Sequence, residues 1–174
     1  ASSGEFLLFH KTTFKNRALS LSYMVRTMEG KHPGYYEAIL QLRHPTELVL
    51  DFVYAEIERK KIHITKEEKE KNGFDIYLAD GPFTRDLGHR LQTKFGGEYL
   101  VTAKLYGNKD GRDLYRLTIL FRQAHFAKND LITYRDNTYI VKTLDKEIIL
   151  QEEKTGKKLR IKYKEMNAIR KTDN

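Results

Sequence analysis

Residues 99–122, YLVTAKLYGNKDGRDLYRLTILFR, contain two apolar-rich runs separated by a turn-forming segment. The runs cover residues 99–106 and 114–122, and residues 107–111, Gly-Asn-Lys-Asp-Gly, lie between them. Gly, Asn and Asp tolerate the backbone conformations of tight turns, so this composition predicts a β-hairpin. The hairpin decides the fold because the neighbouring segments must then pack on its sheet.

Upstream of the hairpin, the spacing of apolar residues predicts two strands and a helix. Apolar residues alternate with other residues in segments 19–25 and 36–42, which is the period of a half-buried strand, and the two strands could pair. The next apolar residues have helical spacing, and the helix would end at Arg59, where cations suit the negative end of the helix dipole. These inward residues are Leu48, Val49, Phe52, Val53 and Ile57.

Residues 65–98 predict three more elements. Thr65 followed by Glu68 resembles a capping box, which predicts a short polar helix over residues 66–71. A strand follows at 74–78, and Asp80-Gly81-Pro82 then turns the chain into a second helix that stops at Gly96-Gly97. Its inward residues are Leu87, Leu91 and Phe95. The segment 17–124 is therefore predicted to be a ββαβαββ sandwich of the α+β class, with helices on one sheet face.

Beyond residue 124 the predicted elements become short strands without helices. They cover residues 130–134, 138–143, 147–151 and 158–164. Short strands at close spacing favour a small all-β barrel of the SH3-like type. We therefore assign 125–174 to an SH3-like barrel with a basic C-terminal strand and tail. Residues 1–16 form a separate N-terminal segment, whose first six residues resemble an expression remnant.

The composition points to a polyanionic partner. Among 174 residues, 32 Lys and Arg face 24 Asp and Glu, which gives a formal charge of +8. Such a protein attracts nucleic acid or an anionic membrane. The chain has no run of about 20 apolar residues that could span a bilayer, and no Cys for disulfides or thiolate sites. We expect a cytoplasmic monomer that does not bind membranes.

No catalytic motif is visible in the sequence. The six His are scattered without metal-ligand spacing, and Ser occurs only at positions 2, 3, 20 and 22. Neither a P-loop nor a G-x-G-x-x-G motif is present. We therefore expect no enzyme activity, no cofactor and no metal. Residues distant in sequence can still converge on folding, which leaves a tRNA-acting enzyme as an alternative.

The basic residues are most concentrated near the C-terminus. Between positions 154 and 171 a single acid, Glu165, accompanies eight cations: Lys154, Lys157, Lys158, Arg160, Lys162, Lys164, Arg170 and Lys171. In a strand over 158–164, the four cations at even positions would share one face. They would repel one another unless a polyanion such as RNA neutralised them. Alternatively, they only protect an edge strand against aggregation.

Two further basic groups and three tyrosines are candidates for RNA contact. One group lies on the second helix, and consists of Arg85, Arg90 and Lys94 beside His89. The other lies near the hairpin tip, and consists of Lys104, Lys109, Arg112, Arg116 and Arg122. Both groups are equally compatible with an ordinary solvated surface. Tyrosines beside turns could stack on unpaired bases, although we expect most aromatic residues to lie in the core. The candidates are Tyr35, Tyr134 and Tyr139.

Four blocks carry a resemblance to a known family: GYYEAILQLR at 34–43, NGFDIY at 72–77, YRLTILFR at 115–122 and the short-stranded region opening with KND at 128–130. They resemble the Nmd-three family, the export adapter of the large ribosomal subunit and its archaeal relatives. The resemblance implies a factor that binds the joining face of the large subunit during late assembly or quality control. It also implies that the C-terminal part resembles translation factor five-A and lies near the tRNA exit region.

Two features differ from that family. Its members usually carry an N-terminal Cys-rich zinc region, whereas this sequence has no Cys. Members that mediate nuclear export also have a long C-terminal tail with transport signals, which we do not find. We therefore expect an archaeal-type member without a metal, whose partners are the rRNA of the large subunit and adjacent ribosomal proteins. A basic protein-interaction module of the translation machinery is a further alternative.

Overall fold

The computed structural model describes residues 32–172, which contain two five-stranded sheets and two α-helices. The α+β class is confirmed, because the helices pack on the first sheet and the second sheet belongs to an all-β part. The strand predicted at 19–25, its hairpin with the next strand and the N-terminal segment 1–16 lie outside the described residues.

The first sheet has the strand order β2-β3-β1-β5-β4. Its strands are β1 (Ala38–Arg43), β2 (Ile64–Glu70), β3 (Gly73–Leu78), β4 (Gly97–Lys109) and β5 (Arg112–Gln123). The central strand β1 runs antiparallel to β3 and parallel to β5, so Leu40 lies opposite Ile76 on one side and Ile119 on the other. All three of these side chains are fully buried.

Helices α1 (Glu47–Arg59) and α2 (Gly81–Phe95) contribute their apolar faces to the same core. The carboxylate of Asp80 accepts a hydrogen bond from Phe83 N–H (2.8 Å) and so caps the start of α2, where Pro82 occupies the first turn. Leu87 and Leu91 are fully buried, as predicted. Leu48 was predicted to face the core but is 70% exposed, because the buried face of α1 instead includes Leu50.

The hairpin of β4 and β5 is confirmed, and it is longer than predicted. Its ladder continues to the pair Lys109 and Arg112, leaving a two-residue turn at Asp110-Gly111. Both turn residues have positive φ, 52° and 74°, as a type I′ turn requires. The register shifts between Leu105 and Gly107, which makes Tyr106 an extra residue in β4.

The short polar helix predicted over residues 66–71 is wrong, because this segment is strand β2. The hydroxyl of Thr65 does not cap a helix but donates to the Tyr35 carbonyl oxygen, at an irregularity in the ladder. Lys66 lies over the Tyr77 ring at 4.1 Å, and Glu68 accepts a hydrogen bond from the Tyr77 hydroxyl (2.8 Å). Cross-strand partners on β3 therefore override the local helix signal.

The second sheet has the strand order β10-β6-β7-β8-β9, with antiparallel pairing throughout. Its strands are β6 (Leu131–Tyr134), β7 (Asn137–Leu144), β8 (Ile148–Glu152), β9 (Lys158–Ile161) and β10 (Arg170–Lys171), with a 3-10 helix (Tyr163–Ala168) before the last strand. A small all-β unit therefore follows the first sheet, as predicted. Among residues 32–172 its end strands β9 and β10 share no ladder. The sheet has its own buried cluster, which includes Ile132, Val141 and Leu150.

The two sheets meet at the end of α2. Gly96 ends this helix with φ of 75°, and a Cβ placed there would lie 2.8 Å from the Leu144 Cβ of β7. Glycine therefore satisfies two requirements at this position, the positive φ of the helix end and the close approach of the second sheet. Burial raises the pKa of the neighbouring Tyr163 to about 12.

Replacing Gly88 with alanine tests the packing of α2 on the first sheet. A Cβ on Gly88 would lie 2.4 Å from Ile119 Cγ2 and 2.9 Å from Tyr99 Cε2. Although alanine favours helices, we expect Gly88→Ala to lower the free energy of unfolding by about 1–3 kcal/mol through overpacking. The control is Gly107→Ala, where a Cβ would meet nothing within 4 Å. It should change stability by less than about 0.5 kcal/mol in the same urea titration.

Candidate nucleic-acid interface

The densest set of exposed cations follows β9 and the turn before it. Along β9, Lys158 and Arg160 are exposed, whereas Leu159 is partly buried and Ile161 is buried. The preceding turn is held by hydrogen bonds from Glu152 N–H to the Lys157 carbonyl (2.8 Å) and from Gly156 N–H to the Glu152 carbonyl (2.8 Å). We call the exposed cations of this region the β9 patch: Lys154, Lys157, Lys158, Arg160 and Lys162.

The strand itself is shorter than the predicted 158–164. It ends at Ile161, and Lys164 lies in the 3-10 helix that follows. Exposed and buried side chains nevertheless continue to alternate after the strand ends. Lys162 and Lys164 are exposed, and Tyr163 between them is buried. Tyr163 is anchored in the second core, so the chain keeps its cations outward after leaving the ladder.

Few acids neutralise the β9 patch. Arg160 lies 4.0 Å from the Glu147 carboxylate, at the limit of an ion pair. In the part of the chain that the structure describes, the four lysines of the patch form no ion pair, although Glu152 and Glu153 begin the turn. Like charges at this density on an exposed surface attract anions.

Arg170 and Lys171 do not belong to the β9 patch. Both lie on β10, which the strand order separates from β9 by three strands. Lys171 forms an ion pair with Asp130 (2.9 Å). The Ala127 N–H and this lysine together lower the pKa of Asp130 below its usual range. Arg170 is exposed.

The three cations of α2 differ in their surroundings. Arg90 is held in an ion pair, whereas Arg85 and Lys94 are exposed. Arg90 donates to Glu56 (2.9 Å), which also accepts from Arg59 (2.6 Å). The hydrogen bonds from Arg90 and Arg59 lower the pKa of Glu56 to about 2. Arg90 therefore joins the two helices and is a poor candidate for RNA contact.

Arg85 lies one turn earlier and faces solvent. Together with His89 and Tyr99 it lines a depression of about 580 Å³ between α2 and the first sheet. The Tyr99 hydroxyl donates to the Arg85 carbonyl oxygen (3.1 Å), which fixes that wall. Lys94, the third cation on α2, lies over the Phe52 ring at 5.3 Å.

The ion pair of Arg90 predicts a specific loss of acid-dependent stability in a variant. Because the pKa of folded Glu56 is about 2 instead of 4.5, its pairing stabilises the protein above about pH 4.5 and is lost as the pH falls towards 2. We expect Arg90→Met to lower the free energy of unfolding near neutral pH and to reduce its fall between about pH 5 and pH 2.

Urea unfolding at several pH values measures this effect. Arg85→Met is the matched control, because it removes the same charge from the same helix at a residue with no ion pair in the described part of the chain. Equal pH dependence of the two variants would contradict the assigned role of Arg90.

The hairpin extends beyond the sheet that supports it. The first residue of β1, Ala38, lies opposite Leu117, which in turn lies opposite Ala103 of β4. Within residues 32–172, the segment 104–116 therefore has no third strand beside it, and we call this part the hairpin arm. Lys104, Lys109 and Arg112 are exposed there.

Two arginines of the predicted hairpin group are not at the tip. Arg122 is partly buried near the base of the hairpin, 3.6 Å from the Glu98 carboxylate. Arg116 is partly buried between two aromatic rings, with its guanidinium carbon 3.6 Å from the ring centre of Tyr106 and 4.1 Å from that of Tyr36.

The tyrosines predicted to stack on bases are mostly buried. Tyr134 and Tyr139 are 3% and 8% exposed and belong to the second core, so that interpretation is wrong for both. Tyr35 is partly buried, and burial together with its hydrogen bond to Glu37 (2.8 Å) raises its pKa to about 12. Among the described tyrosines, the most exposed are instead Tyr106 and Tyr115, which are 54% and 52% exposed.

The sequence did contain a signal for these two residues. Leu105-Tyr106 and Leu114-Tyr115 place apolar pairs directly beside the polar turn, where the arm is too thin to bury them. The four side chains form an exposed apolar set on a basic arm. Such sets mark interaction sites more often than isolated exposed residues do.

A comparison with protein families matches residues 35–122 to the description "NMD3, second domain". The match covers just over half of the chain and runs from the approach to β1 almost to the end of β5. The chain belongs to the NMD3 family. This family comprises adapters of ribosome biogenesis and export, so the resemblance found in the sequence is confirmed at the family level. A search of curated proteins gives no match.

Among residues 32–172, no group of three or more His, Asp or Glu side chains is placed to hold a metal ion. No helix in that range is long and apolar enough to cross a membrane.

Proposed function

We propose that this NMD3-family chain is a cytoplasmic factor that binds the large ribosomal subunit near the tRNA exit region during late assembly or quality control. Its principal partner in this proposal is rRNA, with adjacent ribosomal proteins as secondary contacts. The family membership supports the ribosomal partner. The observation that supports contact with RNA is the β9 patch, which has five exposed cations and a single ion pair at the distance limit.

The physical argument concerns phosphate neutralisation. Each phosphate that a lysine or arginine neutralises releases condensed counterions, which makes binding favourable and strongly dependent on salt. The β9 patch can supply several such contacts because its side chains emerge from one strand, the turn before it and the residue directly after it. Phosphate contacts fix position and orientation without reading sequence. The patch would therefore position the protein on structured RNA.

Edge protection is the competing explanation of the same residues. β9 is an end strand of the second sheet, and lysines on such strands discourage unwanted strand pairing. The two explanations differ in how they depend on the sign of the charge. Glutamate is also a charged residue that discourages strand pairing at an edge, but it repels phosphate.

The triple variant Lys158→Glu, Arg160→Glu and Lys162→Glu tests the proposal. We expect it to weaken co-sedimentation with purified large subunits and to reduce the slope of log affinity against log salt by about 2–3 units, because three phosphate contacts are lost. Unchanged binding of a folded, soluble variant would support edge protection and contradict the proposed contact.

The control carries the same change of charge elsewhere. Lys60→Glu, Lys69→Glu and Lys71→Glu alter exposed residues at the end of α1 and around the turn between β2 and β3. This variant should retain most of the affinity and most of the salt slope. An equal loss in both variants would show that only net charge matters.

A further inference from the structure

The face of the first sheet opposite the helices carries a row of three tyrosine rings and one arginine that ends at an exposed ring. At its inner end, the rings of Tyr36 and Tyr77 meet edge to face at 4.9 Å. Arg116 lies over the Tyr36 ring and donates to its hydroxyl group (3.2 Å). Tyr106 lies on the other side of the Arg116 guanidinium. The line thus runs from the sheet to the hairpin arm.

Tyr106 presents one ring face to the protein and the other to solvent. Its inner face is covered by Arg116, whose guanidinium carbon lies 3.6 Å from the ring centre. The residue is nevertheless 54% exposed, so its outer face is available. Tyr106 is also the extra residue of the ladder irregularity, and such irregularities re-aim a side chain. The ring is therefore both exposed and held in a defined orientation.

The charge beside Tyr106 suits a phosphate. Lys104 lies directly opposite Arg116 in the ladder, so both side chains are on the same face of the hairpin. Lys104 is exposed and, within the described residues, forms no ion pair. A ring face next to an unneutralised cation matches a nucleotide, in which a flat base is joined to an anionic phosphate.

We propose that Tyr106 is a stacking platform for an unpaired RNA base, with Arg116 orienting the ring and Lys104 contacting the adjacent phosphate. The inference rests on the proposed function, since it assigns the class of RNA that the hairpin arm binds. Single-stranded RNA is the fitting class, because a base must leave its helix to stack on a side chain. Because Arg116 already orients the Tyr106 ring, less conformational entropy is lost on RNA binding than for a tyrosine side chain that moves freely.

The test compares RNA that has bases with RNA that lacks them. The probes are a fluorescently labelled oligoadenylate of about 12 nucleotides and an abasic ribose-phosphate strand of the same length. Affinity of the full chain for each is measured by fluorescence anisotropy. We expect Tyr106→Ala to weaken binding of oligoadenylate about tenfold and to leave binding of the abasic strand unchanged.

Three further variants separate stacking from other effects. Tyr106→Phe keeps the ring and should bind oligoadenylate within about twofold of the parent chain. Tyr106→Leu keeps apolar volume without a π face and should lose as much affinity as alanine. Tyr115→Ala is the matched control, because Tyr115 is equally exposed on the same arm but alternation directs it to the face opposite Arg116. Circular dichroism and thermal unfolding establish that each variant is folded.

Several outcomes would overturn the inference. They are equal binding of oligoadenylate by Tyr106→Ala and the parent chain, an equal loss on the abasic strand, or an equal loss in Tyr115→Ala. If Tyr106→Ala weakened association with intact subunits and left both oligonucleotides unaffected, the ring would contact ribosomal protein, and the inference would be wrong. Failure of the parent chain to bind large subunits is a separate result, which contradicts the proposed function.

Discussion

The parallel pairing of β1 with β5 organises the first sheet and the surface that projects from it. These strands are distant in sequence, yet their ladder buries Leu40 and Leu42 of β1 beside Ile119 and Phe121 of β5. Both helices pack on the face that this pairing creates. Because β1 begins at Ala38, opposite Leu117, the β4–β5 hairpin continues beyond it as a two-stranded arm. The same contact thus supports the core and leaves the arm exposed.

The two candidate RNA surfaces differ in the physical interaction that each provides. The β9 patch offers charge without aromatic rings, which suits phosphates at any position along a nucleic acid. The hairpin arm offers a tyrosine supported by Arg116 and flanked by Lys104, which suits an unpaired nucleotide. One surface belongs to each sheet. If both proposals hold, the two surfaces together would let the protein contact structured RNA and also single-stranded elements within it.

Much of the fold follows from local sequence, but several site residues do not. Helical spacing predicted α1 and α2, and Asp110-Gly111 lies at the predicted turn, because apolar period and turn chemistry are local properties. Strand β2 was predicted as a helix because Thr65 and Glu68 resemble a local capping box. The strand is instead stabilised by its pairing with β3, which that local signal does not show. The pairing of Arg90 with Glu56 and the position of Arg116 between Tyr106 and Tyr36 depend on contacts between distant segments. Local spacing could indicate the pair of Arg59 with Glu56 on one helix, but not these contacts between distant segments.

Site-specific crosslinking to purified large subunits tests the central claim most directly. A photoreactive amino acid replaces Lys158 in the β9 patch, Tyr106 on the hairpin arm or, as a control, Lys71 in the turn between β2 and β3, and the crosslinked nucleotides are mapped. The account predicts rRNA crosslinks near the tRNA exit region from position 158, crosslinks to unpaired nucleotides from position 106, and few from position 71. Crosslinks only to ribosomal proteins, or rRNA crosslinks no more frequent than those of the control, would contradict it.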